Sequence, residues 1–356
     1  MTNLEDLPIR PDLVGQVPYG APQVDVPIQL NVNENTHGVP ESVALKIVEN
    51  TARAAISLNR YPDREFMALR TAFADFLGSS LKAEQIWAAN GSNEVLQQFF
   101  QAFGGPGRKS ISFGPTYSMY PNIARTTLTE YQEFARLDDF TLTSDEVTKK
   151  IRETNPDIVV LCTPNNPTGT AVSLDVIEAA YDAFDGMLLI DEAYQEFSTL
   201  PSAVTLLEGR PRLVVSRTMS KAFAFAGARV GYMAADSAVV DAMRIVRLPY
   251  HLSALTQAAA LAALEMQDEL LASIPQIISQ RNRIIQGVER LGLSPYPSQA
   301  NFVLVAGFDN PKAIFEGLLS KGIIVREVGI PGCLRMTAGT ESETSKLLGE
   351  LAILLD

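Results

Sequence analysis

The sequence predicts an α/β fold, with a mostly parallel sheet covered by helices on both faces, a smaller α+β domain after it and an N-terminal arm before it. Three observations predict this. Short continuous apolar runs alternate with helix-like segments over residues 86–216, the pattern of strands buried on both faces. From about Leu248 the pattern changes to two long helices and then to short strands and helices. The length of 356 residues is too long for one small core and suits two domains, or one large domain with a smaller companion.

Residues 1–40 are rich in Pro, Gly and Asn and hold at most one short strand, 28–32, so they read as an arm lying across other structure. Residues 41–250 form the large domain, with strands at 86–89, 110–113, 158–162, 187–190 and 213–216 and helices such as 94–103 and 174–184. Residues 251–356 open with helices 253–266 and 275–291. Strands 302–305, 323–326 and 334–337 follow, with helices 312–319 and 343–354.

Acidic residues number 41 against 29 basic ones, a formal net charge of −12 with no long run of one sign. Such a surface repels nucleic acid and anionic membranes, so the expected partner is a small molecule. The start, "MTNLEDLPIRPDL", has no basic head before an apolar stretch, and no window approaches eighteen consecutive apolar residues; the expectation is a soluble, cytoplasmic chain. Cys162 and Cys333 read as reduced, packed thiols. With only His37 and His251 besides, a metal site built on imidazole or thiolate is not expected.

In open α/β sheets a ligand sits beyond the carboxyl ends of the strands, so each strand exit is a candidate. After 86–89 comes "NGSNE", where Ser92 and Asn93 open an amphipathic helix; this fits either a simply capped helix or an anion site. After 158–162 comes "TPNNPTG", an irregular loop with more side-chain amides than a turn needs, Asn166 among them. Strand 187–190 runs into "DEAY". A carboxylate at the tip of a buried strand is costly to desolvate, so Asp191 implies a buried cation.

After 213–216 comes "TMSKAFAFAGARVG". Its Lys221 lies among small apolar residues, with Thr218 and Ser220 before it and Arg229 after it, on the same sheet edge as Asp191. A lysine so placed either snorkels to solvent or does chemistry. The segment "GGPGRKS" does not make a nucleotide loop, because Arg108 interrupts the pattern and a strand follows.

These residues resemble the class I/II pyridoxal-phosphate aminotransferases, closest to those acting on histidinol phosphate. The likeness runs from "PYGAP" and "LNVNEN" through "RYPD", "AANGSNE", "PTYSMY", "PNNPTG", "DEAY" and "TMSKAFAFAGARVG" to "VREVGIPGCLRMTAGT". It implies fold type I and pyridoxal 5'-phosphate as cofactor.

By the same resemblance, Lys221 is the covalent attachment point of the cofactor aldehyde and the acid/base of the reaction. Asp191 pairs with the pyridine nitrogen, Tyr194 and Asn166 bond the ring hydroxyl oxygen, and Tyr117 stacks on the ring. Ser92, Asn93, Thr218, Ser220 and Arg229 bind the phosphate. Tyr61 reaches the phosphate from a neighbouring subunit, which implies a homodimer. Arg335 clamps the substrate carboxylate, Arg326 meets a substrate phosphate, and Tyr19 and Tyr250 lie on the substrate side.

The implied reaction is transamination between glutamate and imidazole-acetol phosphate, in histidine biosynthesis. An aromatic amino acid aminotransferase and a phosphothreonine decarboxylase are the alternatives. One departure concerns the arm: where the family has Asn-Glu-Asn-Pro, this chain has "NENTHG", with Thr36 and His37.

Overall fold

Seven strands make the central sheet, in the order Ile86–Ala89, Gly231–Ala235, Leu213–Thr218, Met187–Asp191, Ile158–Cys162, Lys109–Gly114 and Glu130–Ala135. Six are parallel; Gly231–Ala235 runs antiparallel to both its neighbours. In the computed structural model, which describes residues 6–18, 20 and 22–355, every residue of Ile158–Cys162 and Leu213–Thr218 is buried. Burial of both faces is why these strands read as unbroken apolar runs.

Two strands lacked that signal. Glu130–Ala135, "EYQEFA", is an edge strand with every residue at least partly exposed, so its composition is polar. Gly231–Ala235, "GYMAA", is buried throughout but opens on glycine and ends on two alanines, which weakens any strand signal.

The helices bury one stripe each against this sheet. Ser92–Phe103 buries Val95, Leu96, Phe99 and Phe100. Leu174–Asp182 buries Val176, Ile177, Ala180 and Tyr181, and ends before the predicted position 184. The polar helix Ser144–Thr154 buries only Val147 and Ile151, one turn apart, and is capped by the Thr143 hydroxyl.

The smaller domain carries an antiparallel sheet in the order Arg326–Glu327, Leu334–Thr337, Phe302–Ala306 and Ser294–Pro295. Helices Ile274–Arg290, Pro311–Ser320 and Glu341–Leu355 accompany it. The single strand expected at 323–326 is two. Ile323–Ile324 pairs in parallel with arm strand Ile28–Gln29, whereas Arg326–Glu327 pairs with Leu334–Thr337. The ladder changes partner at Val325 because the arm reaches only this far: Leu30 N donates to Ile324 O at 2.8 Å, and Leu30 O then accepts from Thr337 N at 3.1 Å.

The arm strand is correspondingly shorter than the expected 28–32. Beyond it the chain bends, with Asn33 in the left-handed region at φ 58°. In the central sheet, Cys162 is level with Asp191, and Asp191 with Ser216. This register sets the strand exits side by side.

Candidate active site

A cavity of about 530 Å³ opens at those exits, between the central sheet, the arm and the small domain. Its walls include Ser92, Asn93, Tyr117, Asn166, Asp191, Tyr194, Thr218, Ser220, Lys221, Arg229, Arg326 and Arg335, all named from the sequence. Tyr61 and Tyr250 are not brought to it. They stack on each other with centroids 4.4 Å apart, and Tyr61 is 79% exposed. Tyr19 lies outside the described residues.

Asp191 ends the Met187–Asp191 strand and is 3% exposed. Its Oδ2 accepts the Tyr120 hydroxyl at 2.7 Å, while Oδ1 has no hydrogen-bond partner among the described residues. Burial pushes this carboxyl up to about 6, against the Tyr120 hydrogen bond, which lowers it. No cation of the described chain pairs with it, so the buried positive partner that the sequence implied has to come from a ligand. Tyr120, the second tyrosine of "PTYSMY", was given no role from the sequence, because nothing in its own segment sets it apart.

The neighbouring Glu192 points the opposite way, as alternation along the chain requires. It accepts from Arg217 Nε at 3.0 Å, Ser202 Oγ at 2.6 Å and Ala203 N at 2.6 Å, while Arg217 Nη1 reaches Glu196 at 2.9 Å. This buried ionic brace holds the exits of the two central strands together behind the cavity.

Lys221 follows the Leu213–Thr218 strand, and its Nζ donates to Val32 O of the arm at 2.9 Å. Burial draws the amine down to about 8, and the guanidinium of Arg335 lowers it too. Beside it, Thr218 Oγ1 bonds Ser220 Oγ at 3.0 Å and Arg229 Nη1 donates to Ser220 Oγ at 3.4 Å. Among the described residues no carboxylate pairs with Arg229.

Two glycines make this corner. A Cβ on Gly91, which has φ 85°, would overlap the Arg229 guanidinium, and one on Gly231 would overlap Ser92 N. Helix Ser92–Phe103 starts here with Gly91 as its cap and without a side-chain capping bond. Ser92 and Asn93 are therefore first-turn residues facing the cavity, not caps, which favours the anion site over the simply capped helix.

The opposite wall is cationic. Arg335 and Arg326 are cross-strand partners in the small-domain sheet. Arg335 donates to Asn166 Oδ1 and to Asn31 O, each at 2.5 Å, and lies over the Phe302 ring at 5.1 Å. In "PNNPTG" the two asparagines divide the work. Asn166 faces the cavity, whereas Asn165 is fully buried and pins the loop through Pro115 O at 2.9 Å and Thr116 Oγ1 at 2.7 Å. Arm residues Asn31 to Glu34 also line the cavity, a contribution the sequence reading missed.

The donor set suits a flat heterocycle with a protonated nitrogen, an aldehyde and a phosphate. Asp191 Oδ1 awaits an N–H, Lys221 is an amine of lowered basicity, and a helix start with hydroxyls and a guanidinium that pairs with no carboxylate among the described residues suits the phosphate.

Comparison with known proteins gives the same answer. The family model "Aminotransferase class I and II" matches residues 25–351. The histidinol-phosphate aminotransferase of Paenarthrobacter aurescens (strain TC1) is 57% identical over 361 residues, covering 100% of this chain and 97% of that protein. That of Thermobifida fusca (strain YX) is 50% identical, covering 96% and 94%.

Among solved structures, the histidinol-phosphate aminotransferase from Sinorhizobium meliloti in complex with pyridoxal-5'-phosphate superposes with a TM-score of 0.83 at 28% identity, over 93% of this chain and 91% of that one. The aspartate aminotransferase from Thermus thermophilus with maleate gives 0.78 at 25%, over 93% and 92%. This chain belongs to the class I and II aminotransferases.

Proposed function

We propose that this chain is a pyridoxal-phosphate-dependent aminotransferase that exchanges the amino group of glutamate with imidazole-acetol phosphate, the histidinol-phosphate aminotransferase reaction of histidine biosynthesis. The observation that carries the choice of substrate is the cross-strand pair Arg326 and Arg335, opening on the same cavity as Lys221 and Asp191. One guanidinium suffices for an α-carboxylate; a second suits a substrate phosphate. An aromatic oxo acid would leave Arg326 without an anion to meet.

When bound, the cofactor supplies an aldehyde that takes up the amino group and a ring that withdraws electrons from the adjoining carbon. The chain supplies the rest. Asp191 would hold a proton at the ring nitrogen through Oδ1, while its Oδ2 accepts from Tyr120. Tyr194 and Asn166 would bond the ring hydroxyl oxygen, and Tyr117 would cover the ring face; all three line the cavity. Ser92, Asn93, Thr218, Ser220 and Arg229, which also line it, would hold the phosphate. Lys221 is the attachment point and carries the proton at the substrate α-carbon. A lysine drawn down to about 8 is neutral far more often at pH 7 than one at its ordinary value, which suits a base.

Domain limits of 1–40 for the arm, 41–250 for the large domain and 251–356 for the small one are part of this reading. So is a homodimer in which Tyr61 reaches the phosphate of the partner subunit. The exposed apolar residues Leu45, Val48, Ile56, Leu58, Ile245 and Leu248, together with the Tyr61–Tyr250 stack, support that interface. Cytoplasmic residence is also proposed, on the two free cysteines; no helix among the described residues is long and apolar enough to cross a membrane.

Turnover with glutamate and imidazole-acetol phosphate, measured against glutamate and phenylpyruvate, tests the assignment. A larger kcat/KM is expected with the phosphate substrate. A preference for phenylpyruvate, or release of carbon dioxide without transfer, overturns it.

A further inference from the structure

Three consecutive arm residues each touch one working group of the cavity. Asn31 O accepts from Arg335, Val32 O accepts from Lys221, and Asn33 Nδ2 donates to the Tyr194 hydroxyl at 3.0 Å. The third contact differs in kind, because a side chain makes it and it acts on an O–H whose direction matters. Asn33 is 1% exposed and in the left-handed region.

Its remaining polar groups are all engaged. Oδ1 accepts from Thr337 Oγ1 at 3.0 Å, N donates to Thr337 Oγ1 at 3.2 Å, and O accepts from Asn301 Nδ2 at 3.1 Å. The Thr337 hydroxyl fixes the amide's sense, since its proton goes to Oδ1 and leaves Nδ2 for the phenol.

We infer that Asn33 is a positioning residue for this reaction: by donating to the Tyr194 oxygen it turns the phenol's own proton into the cavity, toward the ring hydroxyl oxygen of the cofactor. Two facts carry this. The Tyr194 oxygen is occupied as an acceptor by Asn33, and among the described residues no acceptor takes its O–H. A phenol that accepts a hydrogen bond also donates a stronger one.

Asn33 further ties that phenol to the small domain through Thr337 and Asn301, so the proton's direction depends on the arm and small domain being docked. The inference rests on the contact between Tyr194 and the ring hydroxyl proposed above.

The test is the pH titration of the visible absorption of the holoenzyme, which reports the proton on the nitrogen joining Lys221 to the cofactor. A hydrogen bond from Tyr194 draws negative charge from the ring oxygen that otherwise holds this proton, so weakening it raises the midpoint. Asn33→Gly removes the side chain while keeping the left-handed backbone free of strain. It is expected to raise the midpoint by about half a unit, as loss of a modest neutral hydrogen bond allows.

In a Tyr194→Phe background the same change is expected to add nothing, because its effect passes through the phenol. Thr337→Val, which leaves the arm sequence intact, is expected to shift the midpoint in the same direction by less. An unmoved midpoint in Asn33→Gly, or an equal shift with and without the phenol, overturns the inference and reduces Asn33 to a fastening of the arm. An unmoved midpoint in Tyr194→Phe alone overturns the proposed role of Tyr194 and this inference with it.

Discussion

The wall of the cavity that carries Asp191, Thr218 and Lys221 is made at the ends of adjacent strands, whereas the wall that carries Arg335 joins residues 304 positions apart through an arginine and a backbone carbonyl. On the first wall, sheet register alone sets the spacing, and a buried brace of Arg217, Glu192 and Glu196 stands behind it. On the second, nothing is set until the arm docks and the small-domain sheet brings Arg326 beside Arg335. Under the function proposed above, cofactor chemistry would sit on the most constrained part of the fold. Substrate choice would then lie where a change in docking or in one side chain can alter it without disturbing the first wall.

The largest effect that sharpens this contrast is expected at Lys221. Lys221→Ala should lower turnover by at least about 10⁴-fold, the upper range for loss of a positioned acid/base, while the phosphate cradle still retains cofactor. Stopped-flow turnover and equilibrium dialysis of the cofactor check both halves. Turnover near the wild-type value would remove Lys221 from the mechanism.

Next come the arginines. Arg335→Ala should lower kcat/KM about 100-fold for glutamate, from the loss of paired charged hydrogen bonds to its α-carboxylate, and by much less for the phosphate substrate, which carries no carboxylate. Arg326→Ala should lower it only for the phosphate substrate. Equal losses on both substrates in Arg326→Ala would show that the second wall works as one anion site, contrary to the division proposed.

The smallest effect is one of stability, and it runs opposite to activity. The Asp191 carboxyl has its folded value raised to about 6 from an ordinary 3.8, so the folded state holds more protons between these values. Stability therefore falls as pH rises through that window, and the burial cost is fully present above it. Asp191→Asn keeps an acceptor for Tyr120 but removes the ionisable group. It is expected to raise the Tm of the cofactor-free protein by about 2–4 °C at pH 7.5 and to leave it nearly unchanged at pH 4, while lowering turnover of the holoenzyme. Scanning calorimetry at the two pH values checks this. A gain at pH 4 equal to that at pH 7.5 would show that the carboxylate's charge is not the cause.

Legibility in the sequence followed burial. Ile158–Cys162 and Met187–Asp191 were readable because both faces are covered, and the polar residue ending the second stood out against that run. Glu130–Ala135 was not readable, since an edge strand with exposed side chains looks like a loop. The division at Val325 was hidden for another reason: a strand that changes partner midway has the same composition as one that does not. Of the site, Lys221, Asp191 and Arg229 were visible as charges in apolar surroundings, but Tyr120 and Asn33 were not, because neither looks out of place in its own segment.

Five strands of the central sheet, the strand-tip carboxylate, the lysine among small residues and the helix opening at Ser92 were legible in the sequence. These follow from side-chain chemistry and periodicity within a few residues of each other. That Asn31, Val32 and Asn33 each hold one group of the cavity, and that Arg326 stands beside Arg335, was settled by folding alone. Every residue carries the same backbone carbonyl, so which carbonyl meets which cation is undetermined until folding brings distant segments together.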